Sequence, residues 1–397
     1  MDEAPRSRGA SPPLLKHLNE RTVLETIRAS APISRAEISR RAGISKPTVS
    51  LALQSLLEAG LVREASHDPE GPSYGAVFFE PVPEAALVFG LDVGARFLRG
   101  AICDLSGEIR ARQDVEVLGE DAAGVLSAIL RLRDALAAST GRDAARIDAA
   151  VVGVPGVVDG ATNRVSLATS VPGLEGDAFG PELRRQLGLP VTLENDVDLA
   201  AVGELWRGVA RGVEDFAFLS VGTGMGAGLV LRGELHRGYH GAAGEIDFAL
   251  MGVGQDVDPC AGAISAFAAR LSEERAFDTE LQPPFDARAI FAAARASDPL
   301  GRAVVDETAR RIAAHLVPIA AVADVSLVVL GGGLGSNGDL LLAPVRRFLA
   351  DWIPFPPRVE VSSLGEAAVL TGALAVGLRA ARENVFVNRE RVTAEVV

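Results

Sequence analysis

Residues 218 to 245 read Phe218-Leu-Ser-Val-Gly-Thr-Gly-Met-Gly-Ala-Gly-Leu-Val-Leu-Arg-Gly-Glu-Leu-His-Arg-Gly-Tyr-His-Gly-Ala-Ala-Gly-Glu245. Glycines at positions 222, 224, 226 and 228 separate two apolar runs, which predicts a strand, a glycine turn and a second strand. Glycine lacks a Cβ and reaches positive φ, so such a turn offers backbone N–H groups to an anion or a sugar. An ordinary glycine-rich hairpin has the same spacing, because an isolated Gly-x-Gly pattern has low specificity.

Four other motifs accompany this stretch in order along the chain: Gly90-Leu-Asp-Val-Gly-Ala95, Gly153-Val-Pro-Gly-Val-Val-Asp-Gly160, Glu194-Asn-Asp196 and Leu330-Gly-Gly-Gly333. Together they resemble the ROK family of sugar kinases and sugar-responsive repressors, over roughly residues 87 to 377. The resemblance implies an α/β fold, the actin-like (ribonuclease H-like) two-lobed sugar kinase fold. It also implies a sugar site and a nucleotide site on two sides of one cleft.

Composition indicates a folded, soluble protein with two or three domains. The chain has 397 residues, 48% of them hydrophobic and 23% charged. Cys103 and Cys260 are its two cysteines, which is too few for a disulfide framework and favours a reducing cytosol. The N-terminus lacks a signal-peptide pattern and no apolar run reaches membrane-spanning length, so we expect a cytoplasmic protein without a membrane partner.

Charge is distributed unevenly along the chain. The net charge is −13, yet residues 1–64 carry eight arginines and two lysines against seven acidic residues. A basic module joined to an acidic body is expected when only one end of a protein binds a polyanion. We therefore expect DNA to contact the N-terminal module.

The N-terminal module has the pattern of a helix-turn-helix. Ser34-Arg-Ala-Glu37 predicts a capping box, in which the serine accepts from the N3 amide and the glutamate reaches back. Gly43 can close that helix in the αL conformation, and Ser45 can cap the next helix with Pro47 in its first turn. A small helical bundle that happens to be basic is the alternative. Candidate DNA contacts are the polar and basic residues Arg35, Ser45, Lys46, Thr48, Ser50 and Gln54.

Four segments follow from these patterns. Residues 1–13 are predicted to be a flexible arm, 14–80 a winged helix-turn-helix, 81–86 a linker, and 87–397 the two-lobed ROK body. Strands at 61–64 and 76–79 would flank the wing. ROK repressors often have an arginine-rich wing tip, whereas residues 66–75 here contain no arginine, so the resemblance does not extend to that DNA contact.

Asn195 and Asp196 follow a predicted strand and open a predicted helix. An amide and a carboxylate at that place can jointly bind neighbouring hydroxyls. Alternatively, Asp196 is merely an acidic residue that favours the helix N-terminus. The resemblance implies that Asp196 matches the general base of the sugar kinases and that Asn195 and Glu245 match sugar ligands. It also implies that the backbone of Pro155 and Gly156 lines the same pocket.

The nucleotide side departs from the kinase pattern. The resemblance assigns a nucleotide to Asp92, Gly94, Gly222, Thr223, Gly224, Gly331, Gly332 and Gly333. Kinases of the family read Asp-x-Gly-Gly-Thr-Lys, whereas this chain reads Asp92-Val-Gly-Ala-Arg-Phe97 and has lysines only at positions 16 and 46. We therefore expect this side to be vestigial. Arg96 is either a phosphate contact or a solvated surface charge.

A zinc site is not expected. Phe248 stands where the family has a histidine that binds both sugar and zinc, and Cys260 is a single thiol where the family has three. Ser265 matches a second sugar-binding glutamate of the family. One thiol without a nearby imidazole cannot form a tetrahedral zinc shell. ATP and magnesium would be cofactors only if kinase activity survives.

These patterns favour a transcriptional regulator, most consistently a repressor. It would bind operator DNA and a sugar or sugar derivative as a homodimer or homotetramer. The main alternative is a ROK sugar kinase that carries a DNA-binding domain, with Asp196 as its base. A third hypothesis is a sensor of phosphorylated sugars that needs no ATP.

Overall fold

The computed structural model describes residues 12–65, 76–117, 121–142, 144–252 and 256–394. The N-terminal domain packs three helices against a small antiparallel sheet of strand order β1-β3-β2. Its elements are α1 (Pro12–Ser30), β1 (Ile33–Ser34), α2 (Arg35–Ala42), α3 (Lys46–Glu58), β2 (Val62–Glu64) and β3 (Phe78–Pro81).

Local capping explains the two helices of the predicted helix-turn-helix. The Ser45 hydroxyl accepts from the Thr48 amide at 3.4 Å and caps α3, while Gly43 ends α2 with φ 66°, as predicted. Ser34 accepts from the Glu37 amide at 3.4 Å. The second half of the predicted capping box is wrong, because the Glu37 carboxylate binds two arginines of its own helix instead of reaching back to the cap.

The first lobe of the body is built on a five-stranded sheet of order β10-β7-β4-β5-β6. Strand β4 pairs in parallel with β7 and antiparallel with β5. Its strands and helices are β4 (Leu87–Val93), β5 (Phe97–Asp104), β6 (Ile109–Glu116), α4 (Ala122–Ser139), β7 (Ile147–Val154), β8 (Val157–Val158), β9 (Val165–Ser166), α5 (Phe179–Leu187) and β10 (Val191–Asn195). Short 3-10 helices lie at Pro83–Ala85, Ala144–Arg146 and Pro172–Leu174.

The second lobe repeats this plan with a sheet of order β13-β12-β11-β14-β15. The predicted strand, glycine turn and strand are confirmed as β11 and β12, which pair antiparallel from Phe216 opposite Val230 to Val221 opposite Met225. Its elements are α6 (Asp196–Arg207), β11 (Phe216–Val221), β12 (Met225–Leu231), β13 (Glu234–Leu235), α7 (Ala261–Glu274), α8 (Ala287–Arg295), α9 (Pro299–Ala323), β14 (Leu327–Gly331), α10 (Gly332–Gly335), α11 (Gly338–Trp352), β15 (Arg358–Val361) and α12 (Ala368–Ala394). Two 3-10 helices lie at Ile246–Leu250 and Gly365–Ala367.

Helices α6 and α12 connect the two lobes. Helix α12 packs on the first sheet, α6 packs on the second, and the two helices pack closely on each other. A Cβ at Gly203 would lie 2.3 Å from the Ala368 carbonyl oxygen, and one at Gly372 would lie 1.8 Å from that of Leu199. Both positions therefore require glycine, since the backbones approach too closely for any side chain.

The winged helix and the body share one hydrophobic cluster. Buried residues of α1, including Leu24 and Ile27, belong to the same cluster as Leu374 and Leu378 of α12. Trp206, at the end of α6, packs against it. The predicted linker is thus a short packed connection with Ala85 and Ala86 buried.

Several predicted features lie partly outside the described residues. Helix α1 begins at Pro12, inside the predicted arm, while residues 1–11 and the wing tip at 66–75 are not described. The other domain boundaries stay predictions. Within the described ranges, no helix has the length and apolar character needed to cross a membrane.

Candidate functional site

The junction of β10 and α6 presents Asn195 and Asp196, as the sequence predicts. Asn195 is the N-cap of α6, and its side-chain oxygen accepts from the Asp198 amide at 2.9 Å. Its amide nitrogen donates to the Gly156 carbonyl at 2.9 Å. The Asn195 side chain is therefore held at both ends. One oxygen of Asp196 accepts from the Val197 amide at 2.8 Å, which leaves the other oxygen for a ligand hydroxyl.

Gly156 fixes the conformation of the loop whose carbonyl oxygen bonds to Asn195. Its φ is 101°, and a Cβ would lie 2.4 Å from the Ser166 carbonyl oxygen. Only glycine fits there without displacing the β8–β9 hairpin. The structure thus brings the predicted pocket residues Pro155 and Gly156 beside Asn195.

The loop that ends at Glu245 touches both lobes. Gly244 has φ 95°, and its carbonyl oxygen accepts from the Ala227 amide at 2.9 Å. A Cβ at this position would lie 1.7 Å from the Ala227 oxygen. A Cβ at Gly241 would lie 2.1 Å from the carbonyl oxygen of Val158 in the first lobe. These two glycine contacts fix the loop across the cleft and place half-buried Glu245 at its wall.

Asp196 shares this cleft with the carboxylates of Asp92 and Glu245, and its pKa responds to both of them. Burial raises the pKa of Asp196 to about 7, with smaller contributions from the negative charges of Asp92 and Glu245. Burial likewise raises the pKa of Glu245, assisted by Asp247. Asp196 therefore changes charge near neutral pH, where a carboxylate can exchange between accepting and donating hydrogen bonds.

Glu194 and Asp198 are two further acidic residues beside Asp196, and neither is among the site residues predicted from the sequence. Glu194 is buried and paired with Arg237, whose Nη2 lies 2.6 Å from Oε2. Asp198 is 2% exposed, and within the described residues its Oδ1 has no hydrogen-bond partner. Burial raises its pKa to about 8, and the charge of Glu194 adds to the shift. The sequence does carry a signal for this group: three acidic residues, at positions 194, 196 and 198, interrupt an otherwise largely apolar strand and helix.

The predicted nucleotide loops lie next to each other. Strands β11 and β14 pair in parallel with Ser220 opposite Gly331, so the glycine turn and the second glycine loop share one edge of the sheet. A Cβ at Gly222 would lie 3.6 Å from the Gly333 amide nitrogen. Gly224 and Gly333 face open space, and Thr223 is exposed. The backbone could still accommodate a ligand, although the kinase side chains are missing.

The first glycine turn, at Asp92-Val-Gly94, is followed by Ala95, Arg96 and Phe97 and not by the threonine and lysine of the kinase motif. Asp92 is 6% exposed, and an Arg99 Nη1 atom lies 3.3 Å from its Oδ2. Burial nevertheless raises the pKa of Asp92 to about 6 against the effect of Arg99. Gly94 only closes the turn, with its amide 2.9 Å from the Phe97 carbonyl. Arg96 pairs with Glu116 at 2.8 Å on the surface, as the surface-charge alternative predicts.

The residues present do not fit a zinc ion. Cys260 is 7% exposed, and burial raises the pKa of its thiol, which disfavours the thiolate that zinc requires. Phe248 is 55% exposed and offers no ligand atom. No group of three metal-ligating side chains occurs among the residues that the structure describes. Ser265 donates to the Ala261 carbonyl at 2.8 Å within its own helix.

A second candidate site is the exposed front of the winged helix. Arg35, Ser45 and Lys46 are exposed at the starts of α2 and α3, and Gln54 is exposed further along α3. Thr48 and Ser50 are half-buried and bond within their own helix, to Ser45 and to the Lys46 carbonyl. Leu51, which follows Ser50 on α3, is 69% exposed. This large apolar side chain was not among the DNA contacts predicted from the sequence. Such a residue at the front of a recognition helix suits a thymine methyl group.

The fold and these two surfaces define a class of protein: a winged helix joined to a two-lobed, actin-like sugar-kinase body. The comparisons agree. A model of the ROK family matches residues 88–380, and one of the MarR family matches residues 17–70. The chain therefore belongs to the ROK family and carries a MarR-type winged helix at its N-terminus.

Relatives of two kinds are similar to the chain. The xylose repressor of Caldicellulosiruptor bescii is 25% identical over 91% of this chain and 96% of its own length. The glucokinase of Halalkalibacterium halodurans is 27% identical over 71% of this chain and 92% of its own length.

Two solved structures share the fold. The crystal structure of a ROK family transcriptional regulator, described as a homologue of the E. coli MLC protein, has a TM-score of 0.74 at 22% identity, covering 94% of this chain and 98% of that one. A ROK glucokinase from Streptomyces griseus in complex with glucose and AMPPNP has a TM-score of 0.61 at 27% identity, covering 74% of this chain and all of that one (100%).

Proposed function

We propose that the protein is a sugar-responsive transcriptional repressor that binds operator DNA through the winged helix and a sugar in the cleft at Asn195, Asp196 and Glu245. Similarity to the xylose repressor covers 91% of this chain, which is enough to include the winged helix as well as the body. Similarity to the glucokinase covers 71% of this chain, which corresponds to the body without the winged helix. The pairing of DNA-binding module and sugar-type cleft in one chain supports a regulator over a metabolic enzyme.

The observation that carries this proposal is the course of α6. Its first turn holds Asn195 and Asp196 in the cleft, and its last turn places Trp206 against the cluster shared with α1 of the winged helix. One helix thus runs from the proposed sugar site to the cluster shared with the DNA-binding domain. A sugar that binds one arrangement of α6 better than another would shift the winged helix by the same free-energy difference.

The chemistry of the cleft suits neutral hydroxyls. Asn195 is already oriented by Gly156 and by the amide of Asp198, so it can donate and accept without further ordering. The free oxygen of Asp196 and the carboxylate of Glu245 accept from hydroxyl groups. Each hydrogen bond of this kind to a charged group contributes about 1.5–3 kcal/mol when buried. Xylose and glucose are the first sugars to test, because the relatives are named for them.

The test begins with operator selection from random duplexes by the purified full-length protein. Binding to the selected duplex is then measured with and without a panel of pentoses, hexoses, hexosamines and their phosphates. We expect a two-fold symmetric sequence, bound by a homodimer or homotetramer, that is released by one sugar class. Sequence-independent binding that no sugar changes would contradict the proposal.

The alternative kinase function has one observation in its favour. The pKa of Asp196, at about 7, suits a general base near neutral pH. Against it, Arg99 pairs with Asp92, the lysine of the kinase motif is absent, and phosphoryl transfer depends mainly on cations that stabilise the moving phosphoryl group. ADP release with the same sugar panel tests it. Robust ADP release that is abolished by Asp196→Asn would show that the protein is a sugar kinase.

A further inference from the structure

Arg311 of α9 is a fully buried arginine that neither the cleft nor the DNA surface uses. It is 1% exposed, and its Nε donates to Glu307 Oε1 at 2.9 Å on its own helix. Its Nη1 donates to the Asp258 backbone carbonyl at 2.7 Å and lies 3.1 Å from Asp256 Oδ1. The guanidinium also lies over the Phe267 ring, 5.1 Å from its centroid. A buried guanidinium with this many partners is held in one geometry.

The segment that Arg311 holds leads directly to the glycine turn. Asp258 Oδ1 accepts from the Cys260 amide at 2.8 Å, which orders the last residues before α7. The amide of Ala261, the first residue of α7, donates to the Gly222 carbonyl at 2.9 Å. A short chain of hydrogen bonds thus runs from α9 through residues 256–261 to the turn at 222–224.

The wall of the sugar site rests on the same part of α9. The 3-10 helix that begins directly after Glu245 packs against α9, and Ile246 contacts the second-lobe core. Asp247 lies in that helix and interacts electrostatically with both Asp258 and His315. Burial and the charge of Asp258 raise its pKa, and His315 lowers it. His315 follows Arg311 by one helical turn, so both lie on one face of α9.

We propose that Arg311 is a positioning residue of the ligand site: it sets the glycine turn and, through the neighbouring segment, the Glu245 wall, without touching the ligand. The effector part of this inference rests on the proposed function, whereas the structural part does not. Arginine suits this role because its planar fork reaches a carbonyl and two carboxylates at once, which the single ammonium of lysine cannot do.

The experiment compares Arg311→Met with Arg310→Met in the full-length protein. Arg310 is the matched control, because it pairs with the same Glu307 at 2.7 Å but has a side chain that is 28% exposed. Unlike Arg311, it feels Asp256 only through charge, and the structure records no hydrogen bond or ion pair from it to the described residues 256–261. Hydrogen exchange is measured without ligand. We expect Arg311→Met to lose protection at residues 222–224 and 256–261 while the amides in the middle of α9 stay protected, and Arg310→Met to resemble the wild type.

The functional readout is the sugar concentration that releases half of the operator. We expect it to rise about tenfold in Arg311→Met, as for the loss of one well-oriented hydrogen bond, with unchanged sugar-free operator affinity. Arg311→Lys should restore part of the response. Should Arg311→Met fail to fold, Asp256→Ala keeps the arginine and its bond to the Asp258 carbonyl and should produce a smaller change in the same direction.

Three outcomes would overturn the inference. They are protection lost evenly over α9 and the second sheet, exchange identical to the Arg310→Met control, or local loosening with an unchanged sugar response. If no sugar affects the wild type, the proposed function fails, and the exchange comparison still decides whether Arg311 positions the turn.

Discussion

Replacing Asp198 by asparagine should make the protein less sensitive to alkaline pH. Asp198 is 2% exposed, close to the charge of Glu194, and its pKa is raised to about 8. An acid whose pKa is higher in the folded state than in the unfolded state contributes stability that is present at low pH and lost as pH rises. In the wild type this loss begins near the unfolded pKa, about 4, and is complete above pH 8.

The magnitude follows from the width of that window. Each pH unit between the two pKa values changes the free energy of unfolding by about 1.4 kcal/mol, so the interval from pH 5 to pH 8 corresponds to about 4 kcal/mol. We expect about half of that, ~2 kcal/mol, because protein and water relax around a buried carboxylate and the effective dielectric constant exceeds that of a dry interior. Asparagine keeps the size of the side chain but does not titrate, so Asp198→Asn should lack this loss.

The assay is urea unfolding of both proteins at pH 5, 6.5 and 8. The difference in unfolding free energy between variant and wild type should move in favour of the variant by ~2 kcal/mol from pH 5 to pH 8. Asp134→Asn is the control, since Asp134 lies on the surface of α4 with its side chain 60% exposed. Parallel pH curves for Asp198→Asn and the wild type would refute the reasoning.

Four other predictions concern binding. Lys46→Ala should weaken operator binding and lower the slope of log affinity against log salt by about one per bound subunit, because one phosphate contact is lost; an unchanged slope in a salt titration places Lys46 outside the interface. Leu51→Ala should reduce the preference for thymine at one operator position by about 1 kcal/mol while leaving phosphate contacts intact, measured with thymine-to-uracil duplexes; equal losses on both duplexes would exclude a methyl contact. Glu245→Gln should raise the sugar concentration for half-release without changing sugar-free operator affinity, and loss of DNA binding itself would show that Glu245 is structural. Sugar binding to the ionised Asp196 should strengthen as pH rises from 6 to 8 with release of a proton, measured by calorimetry in two buffers of different ionisation enthalpy; a pH-independent affinity would remove Asp196 from the site.

Local chemistry determined much of the winged helix and the cleft. Ser45 and Gly43 fix the ends of two helices through their own backbone preferences, so their roles are readable from neighbouring residues alone. Asn195 and Asp196 are likewise local, because a strand that passes directly into a helix must present its junction residues at the sheet edge. The glycine turn at 222–226 is also local, because closely spaced glycines between two apolar runs predict a turn between paired strands.

Long-range packing decided what the sequence could not. The outcome for Glu37 was instead a local competition, in which two arginines of its own helix bind its carboxylate and leave the capping box open. The close approach of Gly203 and Gly372 to the neighbouring helix, the burial of Asp198 beside Glu194, and the contacts of Arg311 with a segment more than 50 residues away all depend on which surfaces the fold brings together. Local propensity carries no information on those distances. The sequence therefore determined the family and the combination of a winged helix with a ROK body, and it predicted the cleft residues. The tertiary structure decided how α6 joins the cleft to the winged helix and which buried charges face each other.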